Sequence, residues 1–188
     1  MKKLIILTAL TLLLGGSIHA QVQWKTIEEA AAMDSTNKKL FFIDFSTSWC
    51  SYCKKMDRET FQDPVIYTIL NRYYVPVQFD AEGESTFVWD GRTYIPAPER
   101  RDDGGKNMHS FTYRILGNNA KYPSIAFFNK DQRLKQILEG YQSAYDLQII
   151  LWYFCSGDFL SYPFYKYQEI FDEQIKPVMM KNLDIRFE

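Results

Sequence analysis

The chain has 188 residues, a formal net charge of −1 at pH 7 and three cysteines. A nearly neutral charge argues against a nucleic-acid partner and against a polybasic membrane contact. Three cysteines are too few for a small domain that depends on several disulfides, and the chain is long enough to bury a core of its own.

The N-terminal segment, residues 1–20, predicts a secretory signal peptide. Two lysines follow Met1, an almost wholly apolar run extends from Leu4 to Leu14, and small residues lead to Ala20. This order is typical of a cleavable export signal, and the apolar run is shorter than the about 20 residues that a membrane span needs. An uncleaved N-terminal anchor is the alternative. Cleavage after Ala20 would place the mature protein in the periplasm or another extracytoplasmic compartment, where disulfides persist.

Beyond this segment the sequence predicts alternating helices and strands. Asp63 followed by Pro64 predicts a helix start, with aspartate as the N-cap and proline in the first turn. Pro76 is unusual inside a strand because it has no N–H group to donate. In chain order, hydrophobic spacing predicts a helix at 24–33, a buried strand at 40–45, helices at 50–60 and 65–72, and a strand at 74–79.

The middle of the chain has a less regular pattern. Asp90-Gly91 lies between strand-forming residues and predicts the two-residue turn of a hairpin over Phe87–Tyr94. Prolines and mixed charges over 96–105 predict an exposed loop. Asn107 is expected to cap the next helix, on which His109 would be a surface or packing residue.

The C-terminal third predicts a strand hairpin, a helix and a helical tail. Strands over 124–129 and 133–139 flank a short turn, and an apolar face predicts a helix that extends to Cys155, a buried and unreactive thiol. The aromatic-rich tail, 156–188, predicts one more helix, packed on the domain and bent or ended at Pro177.

Cys50 and Cys53 carry the clearest chemical signal. They follow the buried strand at the start of a helix, where free N–H groups and a partial positive charge stabilise a thiolate. A redox-active dithiol is the favoured interpretation, and an inert disulfide or half of a zinc site are the alternatives. Zinc would need two more ligands, and beyond residue 20 only Cys155 and His109 remain among cysteines and histidines. We expect Cys50 to be the exposed, reactive thiol and Cys53 the shielded one.

The element order, the block Trp49–Met56 and the sequence Glu59-Thr60-Phe61 together resemble the thioredoxin superfamily, in particular its exported members with a Trp-Cys-X-X-Cys-Lys motif. The resemblance implies an α/β thioredoxin fold, a central mixed sheet flanked by helices, with an insertion before a cis-proline and an extra C-terminal helix. The implied organisation is a signal peptide (1–20), a thioredoxin-like domain (21–155, with the insertion at about 84–106) and a helical extension (156–188).

The resemblance also implies roles for individual residues. Cys50 matches the nucleophile, Cys53 the resolving cysteine, and Pro123 the cis-proline that faces the pair. Asp44 matches the buried acid that helps to deprotonate the second cysteine. The alternative for Asp44 is a polar residue at a strand edge, but an acid inside an apolar strand is costly without a task or a partner. Contacts with substrate are expected from the neighbouring aromatic residues Trp49, Tyr52 and Tyr122.

Two departures from the family pattern affect these roles. Ser51-Tyr52 stands where thioredoxins have Gly-Pro between the cysteines, so their reduction potential does not carry over. The family's lysine near the buried acid falls at about Pro76, which would leave Asp44 without that cation.

The predicted function is an exported thiol–disulfide oxidoreductase that acts through Cys50 and Cys53. Its partners would be protein thiols or disulfides and a redox protein that recycles the pair. No cofactor beyond the disulfide, no metal, no nucleic acid and no stable membrane insertion after signal cleavage are expected. The alternative is a chaperone-like or partner-binding module without redox turnover. In that case Phe87, Trp89 and Tyr94 of the insertion would contact the partner, unless they form a small core.

Overall fold

The computed structural model describes residues 21–33, 36, 38–97 and 107–185. The predicted signal peptide, 1–20, and nearly all of the predicted charged loop, 96–105, lie outside these residues. Within the described ranges, no helix combines the length and the apolar character that crossing a membrane requires.

The order of helices and strands follows the prediction closely. The elements are α1 (Ile27–Ala31), β1 (Leu40–Ser46), α2 (Ser51–Glu59), α3 (Pro64–Tyr73), β2 (Tyr74–Asp80), β3 (Phe87–Trp89), β4 (Arg92–Tyr94), α4 (Ser110–Leu116), β5 (Ser124–Phe128), β6 (Leu134–Glu139), α5 (Ala144–Ser156), a 3₁₀ turn (Asp158–Leu160), α6 (Phe164–Ile170), a π-helical turn (Phe171–Ile175) and α7 (Lys176–Leu183).

Strand β1 lies inside a four-stranded sheet with the order β2-β1-β5-β6. It pairs in parallel with β2 and antiparallel with β5, and β5 pairs antiparallel with β6. This is the mixed, helix-flanked sheet that the resemblance to thioredoxins implied. Pro76 is tolerated because β2 is an edge strand of this sheet, and the Pro76 carbonyl accepts a hydrogen bond from the Lys25 N–H over 2.9 Å.

Alternate side chains of β1 enter two cores, one on each face of the sheet. Phe42 packs against Phe61 on the face that α2, α3 and α5 cover, with ring centroids 6.1 Å apart. Phe41 and Phe45 enter the other core, together with α1, the β3–β4 hairpin and α4. Asp44 has the same parity as Phe42, so it lies on the face that α2 covers.

Polar side chains at the helix starts explain where the helices begin. Asp63 accepts hydrogen bonds from two backbone N–H groups of α3, and Pro64 is the first residue of that helix, as the sequence predicted. Thr26 and Glu29 form a reciprocal capping box. Helix α1 therefore begins at Ile27, later than the hydrophobic spacing indicated.

The insertion forms the predicted hairpin, but its aromatic residues do not form a contact surface. Asp90 and Gly91 have φ angles of 48° and 70°, as a tight turn between two strands requires. Phe87, Trp89 and Tyr94 are buried in the core that α4 covers. The interpretation of these three residues as partner contacts is therefore wrong, because their side chains face the core of the domain itself.

His109 is a buried N-cap and not a residue within a helix. Its Nδ1 accepts a hydrogen bond from the Phe111 N–H over 3.1 Å, so α4 begins one residue later, at Ser110. Its Nε2 lies 2.8 Å from the carbonyl oxygen of Ser85. Because Nδ1 accepts, Nε2 carries the proton and donates it to Ser85, which links the start of α4 to the insertion.

The tail contains several helical segments where one helix was predicted. Tyr167, Phe171 and Met179 are fully buried in the core that also contains α5. Pro177 lies in the first turn of α7, directly after the π-helical turn, and does not end that helix, which continues to Leu183. A proline is accommodated in a first turn because its missing N–H has no partner to lose there.

Candidate active site

Cys50 and Cys53 are joined by a disulfide at the start of α2, with an S–S distance of 2.08 Å. Cys50 is the N-cap of the helix, and its Sγ accepts a hydrogen bond from the Cys53 N–H over 3.1 Å. The strand β1 ends at Ser46, so the chain passes from the sheet to this helix start within a few residues. The sulfur of Cys50 is thus placed where the backbone can stabilise negative charge.

Exposure does not distinguish the two cysteines in the disulfide state. Each retains 4% of its accessible surface. The expected contrast between an exposed Cys50 and a shielded Cys53 is therefore absent here, because the bond holds both sulfurs against the helix start. The two cysteines differ in their position in the helix: Cys50 is the N-cap, and Cys53 lies in the first turn.

Asp44 lies in the middle of the central strand and has 1% of its surface exposed. It pairs with Gln78 on β2 and with Ile125 on β5, so it is not at a strand edge. Burial, together with the negative charge of Asp57, raises the pKa of Asp44 to about 8. Its Oδ1 has no hydrogen-bond partner among the described residues. Asp44 is thus able to hold a proton near neutral pH.

The neighbour of Asp44 on β2 is an uncharged residue. Pro76 pairs with Phe42, whereas Gln78 is the residue opposite Asp44. The Gln78 Nε2–H donates a hydrogen bond to Asp57 Oδ1 over 3.3 Å. Sequence reasoning overlooked Asp57, although its spacing of four residues from Cys53 places both on one side of α2 and could have indicated it.

Trp49 and Tyr122 bring together the residues that precede Cys50 and Pro123. Their rings meet edge to face with centroids 5.9 Å apart. Trp49 is 56% exposed, and its Nε1–H donates to Glu82 Oε2 over 3.0 Å. Burial, with the charges of Glu82 and Asp80, raises the pKa of Tyr122 to about 12, so its hydroxyl stays protonated.

The peptide bond between Tyr122 and Pro123 is cis, as the resemblance to thioredoxins implied. Pro123 is buried directly before β5, and Tyr122 is partly buried. Tyr52, the remaining predicted contact residue, is exposed within the first turn of α2. The predicted aromatic residues thus flank the disulfide, with Trp49 touching Tyr122 and Tyr52 facing solvent.

The candidate zinc ligands are not gathered around the disulfide. Among the described residues, no three side chains of His, Cys, Asp or Glu are placed to hold a metal ion. Cys155 is partly buried in α5, and burial raises the pKa of its thiol to about 12. His109 uses both ring nitrogens in hydrogen bonds at the start of α4.

Comparison with known proteins agrees with this geometry. Residues 27–154 match the family model of a thioredoxin-like domain. Similar solved structures include a thioredoxin-fold protein from Helicobacter pylori, with 14% identity, a TM-score of 0.51 and coverage of 90% of this chain and 91% of that chain. A putative disulphide-isomerase from Bacteroides thetaiotaomicron has 20% identity and a TM-score of 0.50, with coverage of 71% of this chain and 93% of that chain. None of the curated proteins matches the sequence significantly. At such identities the structural likeness shows the fold alone.

Proposed function

We propose, from the premise that this chain belongs to the thioredoxin-like domain family, that it is an exported thiol–disulfide oxidoreductase acting on protein disulfides. The observation that carries the proposal is the Cys50–Cys53 disulfide at the start of α2, with the buried Asp44 on the sheet face that this helix covers. A purely structural disulfide would not need a buried acid on the sheet face below its helix, since a buried ionisable group costs stability.

The reaction follows from the geometry of the helix start. In the reduced protein the Cys50 thiolate attacks one sulfur of a substrate disulfide, forming a mixed disulfide and releasing the other substrate sulfur as a thiolate. Cys53 then gives its proton to the Asp44 carboxylate and attacks Cys50 Sγ. The Cys50–Cys53 bond forms, the bond to substrate breaks, and the substrate leaves reduced by two electrons. The reverse sequence oxidises a dithiol, and the direction depends on the relative reduction potentials.

The surface around the disulfide is suited to an extended peptide. Trp49 and Tyr52 expose large aromatic faces beside Cys50. Tyr122 comes shortly before β5, and its backbone would pair with a substrate strand in an extended conformation. Main-chain pairing with a few aromatic contacts favours a broad class of partly unfolded protein substrates over one small molecule.

The proposal also includes export of the chain, a disulfide that needs no further redox group, and a partner that recycles it. Residues 1–20 would direct the chain out of the cytosol, and the disulfide itself would be the only redox group. A second redox protein would return the pair to its starting state.

Trapping of the mixed disulfide tests the chemistry. Cys53→Ser should accumulate protein adducts that disappear on adding reductant, because attack by Cys50 survives and resolution is lost. Cys155→Ser is the matched control and should leave turnover unchanged, since the thiol of Cys155 lies far from ionisation at neutral pH. If wild type reduces no protein disulfide and Cys53→Ser traps no adduct, the oxidoreductase proposal is wrong. If a Cys50→Ser, Cys53→Ser double variant keeps full activity on the native partner, the binding-module alternative is correct.

Export is tested separately by expressing the full chain and determining the mass of the protein in the extracytoplasmic fraction. A mature chain that begins at Gln21 is expected. Recovery of the intact chain from the cytosol alone would contradict export without affecting the redox proposal.

A further inference from the structure

We propose that Asp57 is a positioning residue of the redox reaction, because its carboxylate, held by Gln78 beside a polar cavity, forms a coupled pair with Asp44. The pair sets the pH range in which Asp44 accepts the proton of Cys53. This inference rests on the proposed function and assigns a role to a side chain outside the cysteine motif. Asp57 touches no reacting sulfur and acts only through Asp44.

Asp44 on the sheet and Cys53 and Asp57 on α2 belong to two elements that face each other. Asp44 points to the sheet face that α2 covers, as Phe42 does. On α2, Cys53 is buried and Asp57, one turn later, is partly buried. The two carboxylates therefore lie on facing elements, with Cys53 on the same side of the helix as Asp57.

Gln78 is hydrogen-bonded to one of the two carboxylates and lies opposite the other in the sheet. It is the register partner of Asp44 on the neighbouring strand, and it donates a hydrogen bond to Asp57 Oδ1 over 3.3 Å. Asp44 Oδ1 is buried and receives no hydrogen bond from any described residue. The Gln78 amide thus orients the Asp57 carboxylate. The charge of Asp57 acts on Asp44 Oδ1, which no hydrogen-bond donor in the described part of the chain contacts.

A cavity of about 260 Å³ gives the two carboxylates different access to water. It is bounded by Asp57, Gln78, Gln62 and Gln21, together with the aromatic rings of Trp24 and Phe61. Its amide and carboxylate lining is suited to water, which needs several polar partners. Asp57 borders this cavity and Asp44 does not, so hydration favours the ionised form at Asp57 and the protonated form at Asp44.

The charges around the pair agree with this assignment. Burial raises the pKa of Asp44 first, and the Asp57 carboxylate adds to it. Burial also raises the pKa of Asp57, while the Arg58 guanidinium opposes that change. The strand neighbours of Asp44 are Gln78 and Ile125, which carry no charge. The Asp57 carboxylate is therefore the charge that acts on Asp44, and two interacting carboxylates titrate as a pair.

The coupling has a direct consequence for the resolving step. An ionised Asp57 increases the proton affinity of Asp44, so Asp44 becomes a stronger base towards the Cys53 thiol. The proton moves from Cys53 to Asp44, the Cys53 thiolate attacks Cys50 Sγ, and the substrate leaves as a thiolate. The same coupling keeps Asp44 protonated up to a higher pH, so the resolving step needs a more alkaline pH than it would without Asp57.

Asp57→Asn tests the coupling because it removes the charge and keeps an oxygen that Gln78 can donate to. The rate of mixed-disulfide resolution should be measured against pH in the full chain, and the carboxyl carbon of Asp44 should be titrated by NMR in the oxidised protein. Both midpoints should move towards acid pH in Asp57→Asn. Glu59→Gln is the matched control: it removes one negative charge from the same helix, at an exposed site that contacts Tyr141 and Lys55. Its midpoints should stay at the wild-type values.

A second variant keeps the test informative if Asp57→Asn folds poorly. Gln78→Ala leaves both carboxylates and removes the donor that holds Asp57, so the Asp44 midpoint should move in the same direction by a smaller amount. Identical titration curves for wild type, Asp57→Asn and Gln78→Ala would overturn the coupling. If wild type resolves no mixed disulfide at any pH, the proposed function fails, while the NMR titration of Asp44 still decides whether the pair is coupled.

Discussion

The backbone N–H of Cys53 points at Cys50 Sγ from 3.1 Å, so the second cysteine of the motif solvates the first through its main chain. Cys50 is also the N-cap of α2, where the helix dipole favours negative charge. Both effects persist when the disulfide is reduced, provided that the helix start keeps its conformation.

Alkylation of the reduced protein should therefore modify Cys50 at a lower pH than any other cysteine. Cys155 is a built-in reference, because burial raises the pKa of its thiol to about 12. Peptide mapping after brief iodoacetamide treatment across a pH series measures the order. Reaction of Cys53 before Cys50, or modification of Cys50 only near the pH of about 8.5 at which a free thiol ionises, would contradict the assigned roles.

The stability of the oxidised protein should fall as Asp44 ionises. Its pKa is raised to about 8 in the folded state and is about 3.9 in an unfolded chain, so the folded state keeps a proton that the unfolded state releases. The contribution is fully present below pH 4 and is lost as the pH rises through about 8. Asp44→Asn should remove this dependence, which is worth about 5–6 kcal/mol in the free energy of unfolding.

Urea denaturation of wild type and Asp44→Asn at several pH values between 4 and 9 measures the difference. Glu59→Gln, which removes an exposed carboxylate, is the control and should follow the wild-type dependence. Parallel pH profiles for wild type and Asp44→Asn would show that Asp44 is ionised at neutral pH in the folded protein.

The sequence predicted those features of the fold that depend on local chemistry. Asp63 and Pro64 start α3, and Asp90-Gly91 forms the hairpin turn, because capping and positive φ angles depend on adjacent residues. The burial of Trp89 in the core was not predictable in this way, since hydrophobicity alone does not distinguish a core contact from a partner contact. That distinction depends on which surface the hairpin meets, and here the surface includes Phe41 of the sheet.

The candidate site shows the same limit. Cys50, Cys53 and Asp44 were found from the motif and from an acid inside an apolar strand. Asp57 was overlooked because its interaction with Gln78 joins a helix to a strand, 21 residues apart along the chain.

Acidification should weaken the attachment of the insertion through His109. Burial lowers the pKa of His109, although its hydrogen bond to Ser85 and the charge of Glu28 oppose that change. A lowered folded pKa means that stability is fully present above the unfolded value of about 6.5 and is lost as the pH falls through the folded value. Protonation of Nδ1 would also remove the acceptor that caps α4.

His109→Asn isolates this effect, because asparagine caps helices well and does not titrate. At pH 8 the variant should be less stable than wild type by about 1–2 kcal/mol, through loss of the hydrogen bond to Ser85. The difference should shrink as the pH is lowered to 5, as followed by thermal or urea denaturation. A constant difference over that range would mean that His109 does not titrate in the folded protein.

The C-terminal extension should contribute to the stability of the whole domain. Met179 is fully buried in the core that contains α5, whereas its neighbour Val178 is exposed. Met179→Ala should lower the free energy of unfolding by about 2–5 kcal/mol and Val178→Ala by no more than about 0.5 kcal/mol. A single cooperative unfolding transition, lowered in Met179→Ala, is expected by circular dichroism. A separate early transition for the tail would show that it folds independently.

The hairpin of the insertion should act on stability and not on the redox chemistry. Trp89 is 1% exposed, its ring lies 5.0 Å from that of Phe41, and its Nε1–H donates to the Gln132 carbonyl over 3.0 Å. Trp89→Ala should therefore lower the free energy of unfolding by about 3–5 kcal/mol, since it removes a buried aromatic side chain and leaves Gln132 unpaired. Val88, 55% exposed on the other side of the same strand, supplies the control, and Val88→Ala should change stability by about 0.5 kcal/mol or less.

The Cys50–Cys53 reduction potential, measured in glutathione buffers under conditions where both variants are folded, should match that of wild type. A folded Trp89→Ala protein with an altered reduction potential would contradict this separation of stability from redox chemistry.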